Sequence, residues 1–156
     1  MANVNHSTLT GTTLHEPKGV AAAATGKVYV SNGSGSGAWT AKEILTGETL
    51  SGSISNVSSA MTVYVPIPFA GTISKVVTVL EAAIGSSNAV VTVKNAAAAS
   101  MGTITVTQSG SAAGDVDTLS PSSNNTVAAN SFITIATDGA SSNTVALRFV
   151  VVLDRT

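Results

Sequence analysis

The sequence predicts an all-β protein. An antiparallel, jelly-roll-like β-sandwich over residues 49–156 follows an extended N-terminal arm with a small hairpin over residues 1–48. From Thr49 onward, short segments rich in Val, Ile and Thr alternate with clusters of Gly, Ser, Asn and Pro. No segment combines helix-forming residues with a helical hydrophobic period for more than about one turn. Short, evenly spaced strands joined by turns are typical of a sandwich or a barrel, and about eight of them favour a jelly roll.

The N-terminal region predicts an arm and a hairpin. Residues 1–26 hold isolated hydrophobic side chains without a period of two or 3.6. Residues 27–31 alternate as a short strand, and the Gly- and Ser-rich residues 32–37 turn the chain back towards Trp39. Residues 41–45 allow one helical turn at most, because Gly47 follows.

Seven later segments have strand patterns, and their alternation predicts which side chains enter the core. The segments span residues 49–57, 61–67, 72–80, 89–94, 103–108, 132–137 and 144–153. The expected inward set is aliphatic and mostly β-branched: Val63, Val65, Ile73, Val77, Val79, Val91, Val93, Ile104, Val106, Phe132, Ile133, Ile135, Leu147, Phe149 and Val151. Burial of these side chains contributes roughly 1.5–3 kcal/mol each before entropy, enough for an independent domain.

The composition predicts a protein that works as an assembly. Ser and Thr fill 42 of the 156 positions, whereas only 15 residues are charged and the net charge is −1. A surface covered by hydroxyls, amides and small residues repels its own copies weakly and tends to associate.

Several classes of function are disfavoured by the same counts. The seven Lys and Arg residues are scattered, so the basic patch of a nucleic-acid-binding protein is missing. The sequence contains no uninterrupted apolar run of about 18 residues, so it predicts no membrane span. Without cysteine there is no disulfide or thiolate chemistry. The first residues lack the pattern of a signal peptide, so we expect synthesis in a cytoplasm.

Catalytic signatures are weak, and we expect no enzyme activity and no catalytic residue. Residues 33–38 match the G-x-G-x-x-A pattern of dinucleotide sites, but Trp39 stands where a long helix should begin, so a hairpin turn is favoured. No G-x-S-x-G elbow is present. His6 and His15 lie in the predicted arm, where no rigid scaffold holds a catalytic base.

Metal ligation is also disfavoured. Asp115 and Asp117 lie on the same side of an extended segment and could begin a calcium site, but most of its six to eight oxygens would have to come from backbone carbonyls. His6, His15 and Glu16 make a partial metal site without evident further ligands. We therefore predict no metal and no cofactor.

A small apolar cluster is expected outside the sandwich. Trp39 is the only tryptophan, and it could meet Tyr29 and Leu45. The cluster could hold the hairpin together locally or anchor a subunit interface, where Trp and Tyr are enriched. The two interpretations are compatible.

The N-terminal segment resembles that of tailed-bacteriophage virion proteins. The similarity is carried by residues 5–20 (NHSTLTGTTLHEPKGV), residues 26–33 (GKVYVSNG) and Trp39. In that group the segment occurs in capsid decoration (cement) proteins, head fibres and some tail-fibre proteins. Residues 66–73 (PIPFAGTI) and 108–117 (QSGSAAGDVD) look like parts of the β-sandwich that often follows it.

The resemblance implies a non-enzymatic, homotrimeric cement protein that decorates and stabilises the outer surface of a tailed-phage capsid. Its expected partners are the major capsid protein and its own copies, with no nucleic acid, membrane or small-molecule substrate. The alternative is a head- or tail-fibre domain that binds a host surface glycan or receptor through loops such as 121–125 and 138–143.

The residue types in the arm suit contact with a capsid shell. Leu9 and Leu14 could enter separate apolar pockets, and polar neighbours could pair with shell groups on either side of Pro17. Proline restricts the residue before it to extended geometry, which lowers the entropy cost of binding. The predicted capsid-binding residues are His6, Leu9, Thr10, Leu14, His15, Glu16, Pro17 and Lys18.

Overall fold

In a computed structural model of the chain, the structure describes residues 24, 26–34, 37–41 and 47–155. The regular elements among these residues are all β-strands, which confirms the all-β prediction. The described residues fall into two compact units, one within Met1–Leu45 and one within Thr46–Thr156. The arm is outside the described residues apart from residues 24 and 26, and so is the possible helical turn apart from Ala41.

The first unit contains the expected hairpin. Strand β1 (Lys27–Ser31) pairs antiparallel with β2 (Gly37–Ala41). At the start of the connection, the Ser34 backbone amide donates a hydrogen bond to the Asn32 side-chain oxygen over 2.9 Å. This is an Asx-turn, which asparagine favours. The positive φ of 74° at Gly33 suits a residue without a Cβ. The small hairpin is therefore confirmed.

The second unit holds nine strands. All seven predicted segments form strands, and two short ones (β8 and β9) were not predicted. The strands are β3 (Gly47–Ile54), β4 (Met61–Ile67), β5 (Gly71–Leu80), β6 (Ala89–Asn95), β7 (Ser100–Val106), β8 (Val116–Leu119), β9 (Thr126–Val127), β10 (Ser131–Thr137) and β11 (Leu147–Arg155).

These strands form two antiparallel sheets. Sheet I has the order β3-β11-β5-β8, with β9 also paired to β5, and sheet II has the order β4-β10-β6-β7. The pairings are nested along the chain. The pair β6 with β7 lies inside β5 with β8, which lies inside β4 with β10, which lies inside β3 with β11.

The core lies between the inner faces of the two sheets. Fully buried side chains come from both, including Val76 and Leu147 of sheet I and Val91 and Ile135 of sheet II, and they form one cluster. The sheets therefore pack as a β-sandwich. Phe149 is the only aromatic residue among the buried hydrophobic side chains of the described residues.

Phe149 fits because its directly opposite neighbour on β3 is a glycine. Gly52 pairs with Phe149 in the register of β3 and β11. A Cβ placed at Gly52 would lie 2.5 Å from the Phe149 ring, so a larger residue there would have to displace it. The large ring and the absent side chain together keep this layer of the core closely packed.

Most of the predicted inward set is buried, but three positions were wrong. Val77 and Val79 lie on the outer face of sheet I, because β5 bulges between Ile73 and Lys75. Ser74 is the extra residue, and one inserted residue shifts the remainder of the strand to the opposite face. Phe132 points outward and is 38% exposed, since its neighbour Ile133 takes the inward position. Val63 is partly buried against the core.

Replacing Ile135 with Asp is expected to abolish folding. The Ile135 side chain is fully buried in the middle of β10. An unpaired carboxylate there would cost several kcal/mol, a large part of the roughly 5–15 kcal/mol that stabilises a domain. Thermal unfolding followed by circular dichroism measures the effect. Thr134→Asp is the matched control, because Thr134 lies next in the strand and faces outward. A soluble Ile135→Asp protein that melts cooperatively would contradict this core.

Candidate interaction surfaces

The predicted capsid-binding residues cannot be placed in the structure. His6, Leu9, Thr10, Leu14, His15, Glu16, Pro17 and Lys18 all lie outside the described residues. Their role stays a prediction from the sequence.

Two residues of the predicted apolar cluster meet in the first unit. Tyr29 and Trp39 are register partners across β1 and β2, and their rings pack edge to face with centroids 5.4 Å apart. Cross-strand aromatic pairs stabilise hairpins, so the contact between Tyr29 and Trp39 stabilises the pairing of β1 with β2. Leu45 lies outside the described residues, and the role of the three in a subunit interface stays a prediction.

The glycine-rich segment belongs to the hairpin connection. Strand β2 begins at Gly37 and pairs back onto β1, so a strand follows the glycines where a dinucleotide site would need a helix. In such sites the phosphates bind at a helix N-terminus, and strand β2 occupies the place of that helix.

An exposed aromatic pair lies on the outer face of sheet II. The rings of Tyr64 on β4 and Phe132 on β10 pack edge to face with centroids 5.3 Å apart. Tyr64 is 66% exposed, more than any other large hydrophobic side chain of the described residues. A cavity of about 180 Å³ adjoins Phe132 and is lined by residues 95–97, 126–128 and 131. Because Phe132 was predicted to lie in the core, this exposed pair was not predicted from the sequence.

A second apolar surface covers the outer face of sheet I. We call it the valine face: Val77, Val79, Val116, Val150 and Val152. Val116 is 58% exposed and Val150 37%. Register pairs Val150 with Val77 and Val79 with Val116, so the side chains are neighbours across three strands.

An ion pair lies at one end of the valine face. Arg148 Nε contacts Glu81 Oε1 at 2.5 Å, and both side chains are exposed. At the other end of β11, Asp154 is exposed. Exposed ion pairs contribute little to stability, so the pair of Arg148 with Glu81 is not needed to hold the fold together.

The two loops considered for receptor binding direct several polar groups to the protein itself. The Asn125 side-chain amide donates to the carbonyls of Ile73 and Pro121 over 3.0 and 3.1 Å. In the 138–143 loop, Asp138 Oδ1 accepts from the Val90 amide, and Ser141 Oγ donates to the Gly85 carbonyl. These bonds fix the loops and engage the named polar groups within the protein.

The two carboxylates considered for calcium have separate environments. Asp115 accepts a hydrogen bond from the Ala112 amide over 2.7 Å and closes a local turn. Burial, together with the neighbouring charge of Asp115, raises the pKa of Asp117 above its usual value. Within the part of the chain that the structure describes, no group of three or more His, Cys, Asp or Glu residues is placed to hold a metal ion.

Asp117→Asn is expected to raise the melting temperature at pH 7. The raised pKa means that the folded state disfavours the Asp117 carboxylate, and the neutral amide removes that penalty. The penalty exists only at pH values at which the Asp117 carboxyl is ionised. The difference in melting temperature between the variant and wild type should therefore shrink as the pH falls towards 3.8. Melting curves at several pH values measure it. A difference that stays constant down to that pH would contradict the assignment.

Comparison with known proteins adds no identification. No protein-family model matches the sequence, and no curated protein matches it significantly. Among the described residues there is no helix long and apolar enough to cross a membrane.

Proposed function

We propose that this protein is a non-enzymatic structural protein of a tailed-phage virion, which decorates the outer capsid surface as a cement protein. The observation that carries the proposal is the resemblance of residues 5–20 to the N-terminal segment of such proteins. The proposed partners are the major capsid protein, which binds the arm, and further copies of the chain. The resemblance implies that these copies form a homotrimer.

The nested strand pairing supports a jelly roll as the finer description of the sandwich. A jelly roll arises when one long antiparallel hairpin is rolled up, so that outer and inner strand pairs follow one another along the chain. The four pairs of sheets I and II have this order, from β3 with β11 to β6 with β7. Jelly rolls are used by viral capsid and lectin domains, so the fold agrees with both candidate functions without choosing between them.

The surface of the sandwich also supports a structural role. Serine and asparagine side chains in the loops bind the protein's own backbone, as Ser58 Oγ does with the Ser142 carbonyl over 2.9 Å. Such bonds hold the loops against the rest of the sandwich. A surface with few charges allows copies to lie close together without strong repulsion.

Removing residues 1–20 is expected to abolish binding to undecorated phage heads while leaving the sandwich folded. Wild type mixed with such heads should bind stoichiometrically and raise their rupture temperature, because the cement holds neighbouring capsid subunits together. Co-sedimentation and a thermal rupture assay measure the two effects. Leu14→Ser should weaken binding, with Thr13→Ser as the matched control in the same segment. Equal binding by the truncated protein, with an unchanged melting temperature, would contradict the role of the arm.

A second candidate function is supported by the exposed pair Tyr64 and Phe132. Aromatic rings that face solvent beside a cavity can stack on a sugar, and Tyr64 is well exposed. This observation favours a fibre domain that binds a host surface glycan.

Purified protein is expected to leave phage adsorption unchanged if it is a cement protein. A glycan-binding fibre domain would instead compete with phage for host cells, and Tyr64→Ala would remove the competition because the stacking ring is lost. Thr62→Ala is the matched control, being exposed on the same strand. An adsorption assay with increasing protein separates the two functions, and competition that Tyr64→Ala abolishes would favour the fibre.

A further inference from the structure

The outward side chains of β11 form a short pattern that would match a second, antiparallel copy of the same strand. In order along the strand they are Arg148, Val150, Val152 and Asp154: a cation, two valines and an anion. The intervening residues are buried in the core, so these four lie on the outer face of sheet I. If two such strands face each other in opposite directions, the anion of one lies opposite the cation of the other, and valines lie opposite valines.

The neighbouring strands extend this pattern into a surface. Beside β11, β5 contributes Val77, Val79 and, opposite Val152, the exposed cation Lys75, and β8 contributes Val116. On the other side, β3 presents only small residues outward, such as Ser51 and Ser53. The valines therefore make the centre of the face apolar, Lys75 and Glu81 add a cation and an anion on the β5 side, and the β3 side carries small residues only.

We propose that the valine face binds the valine face of a second copy of this chain, with the two β11 strands running antiparallel. In that arrangement Arg148 of one copy lies opposite Asp154 of the other, twice, around two facing pairs of Val150 and Val152. A parallel arrangement would set Arg148 against Arg148 and Asp154 against Asp154. The contact is a twofold, self-complementary one, the commonest kind in protein oligomers.

Charge complementarity identifies the occupant as a second copy. A strongly charged partner, such as nucleic acid, would meet charges of both signs on this face, with Glu81 beside Arg148 at one end and Lys75 towards the Asp154 end. A second copy bound antiparallel sets the Arg148 end of each β11 against the Asp154 end of the other, so that Arg148, beside Glu81 in its own chain, also meets a carboxylate of its partner copy. This inference deepens the self-association within the proposed function and rests on that part of it. It does not depend on the arm or on the capsid.

The size of the face sets the expected strength of the contact. Four strands spaced by about 4.8 Å, with β11 about 30 Å long, give a face of roughly 600 Å² per copy. Two such faces bury roughly 1,200 Å² in total, the lower limit for a specific, stable interface. The pairing should therefore depend on protein concentration. It joins copies two at a time, so it gives a dimer, or a pair of trimers if a threefold contact forms elsewhere.

Charge exchange between two variants tests the proposal in solution, without capsids. Arg148→Asp gives a face with an anion at both ends, and Asp154→Arg gives one with a cation at both ends. Each variant alone should self-associate at least tenfold more weakly than wild type, because like charges then face each other. An equimolar mixture of the two should associate again as mixed pairs, and the double variant should recover wild-type association. Sedimentation velocity over a range of concentrations measures all four samples.

Controls separate loss of the contact from loss of the fold. Thr103→Arg adds a charge at an exposed strand position of sheet II and should leave association unchanged. Thermal melting shows whether Arg148→Asp still folds after losing its contact with Glu81. If it does not fold, Val150→Lys replaces it, and a charge in the centre of the face should prevent pairing.

Three results would overturn the proposal. They are a wild-type protein that remains monomeric at all concentrations, single variants that associate as wild type does, and a mixture that fails to form mixed pairs. Deleting residues 1–20 should leave the pairing intact while removing capsid binding. Failure of the valine contact is thus distinguishable from failure of the cement function.

Discussion

The alternation of side chains along β5 and β11 governs how the sandwich is built, because every second residue must enter the space between the sheets. These two strands lie in the middle of sheet I. β11 pairs with β3 and β5, and β5 pairs with β11 on one side and with the short strands β8 and β9 on the other. Their inward residues, such as Val76 and Leu147, are buried, whereas the outward residues between them remain accessible. The same alternation therefore places one set of side chains in the core and the other set on the valine face.

The bulge in β5 shows how one residue changes both sides of that pattern. With Ser74 inserted, Val76 enters the core and Val77 and Val79 face outward. Without the insertion, strict alternation from Ile73 would bury Val77 and Val79 instead. The valines themselves are equally hydrophobic on either face and give no signal for the shift. Lys75 does, because strict alternation from Ile73 would bury this charged side chain, which is exposed in the structure. A bulge is specified by backbone geometry and pairing across strands, which alternation along one strand does not report.

Other parts of the structure could be predicted to different degrees for similar reasons. The seven long strands and the hairpin carry alternation and turn residues in their own sequence, and they were found. The short strands β8 and β9 were missed because they have few hydrophobic residues and depend on pairing with the edge of β5. The contact of Tyr64 with Phe132 could not be predicted either, because it depends on the register between β4 and β10. The extended arm was predicted from the lack of hydrophobic periodicity in residues 1–26 and its capsid-binding role from the resemblance, and it lies outside the described residues apart from residues 24 and 26.

The abundance of small hydroxyl residues is explained in part by bonds inside the protein. Thr137 is buried, and its hydroxyl donates to the Ser59 carbonyl over 2.7 Å, which joins the end of β10 to the loop before β4. Ser58 and Ser141 make similar bonds between loops distant in sequence. Serine and threonine can satisfy buried backbone groups without adding charge, so a chain rich in them can close its loops and keep a weakly charged surface.

The two sheets of the sandwich present different outer surfaces, and these can act at the same time. Sheet I offers the valine face with opposite charges at its ends, and sheet II offers Tyr64 and Phe132 among threonines such as Thr62. In a two-layer sandwich the outer faces point in opposite directions, so a copy bound to sheet I leaves the outer face of sheet II uncovered. Pairing of copies and recognition of a ligand therefore do not compete for the same surface. A loss of pairing in the charge-reversed variants should consequently leave any property of Tyr64 unchanged.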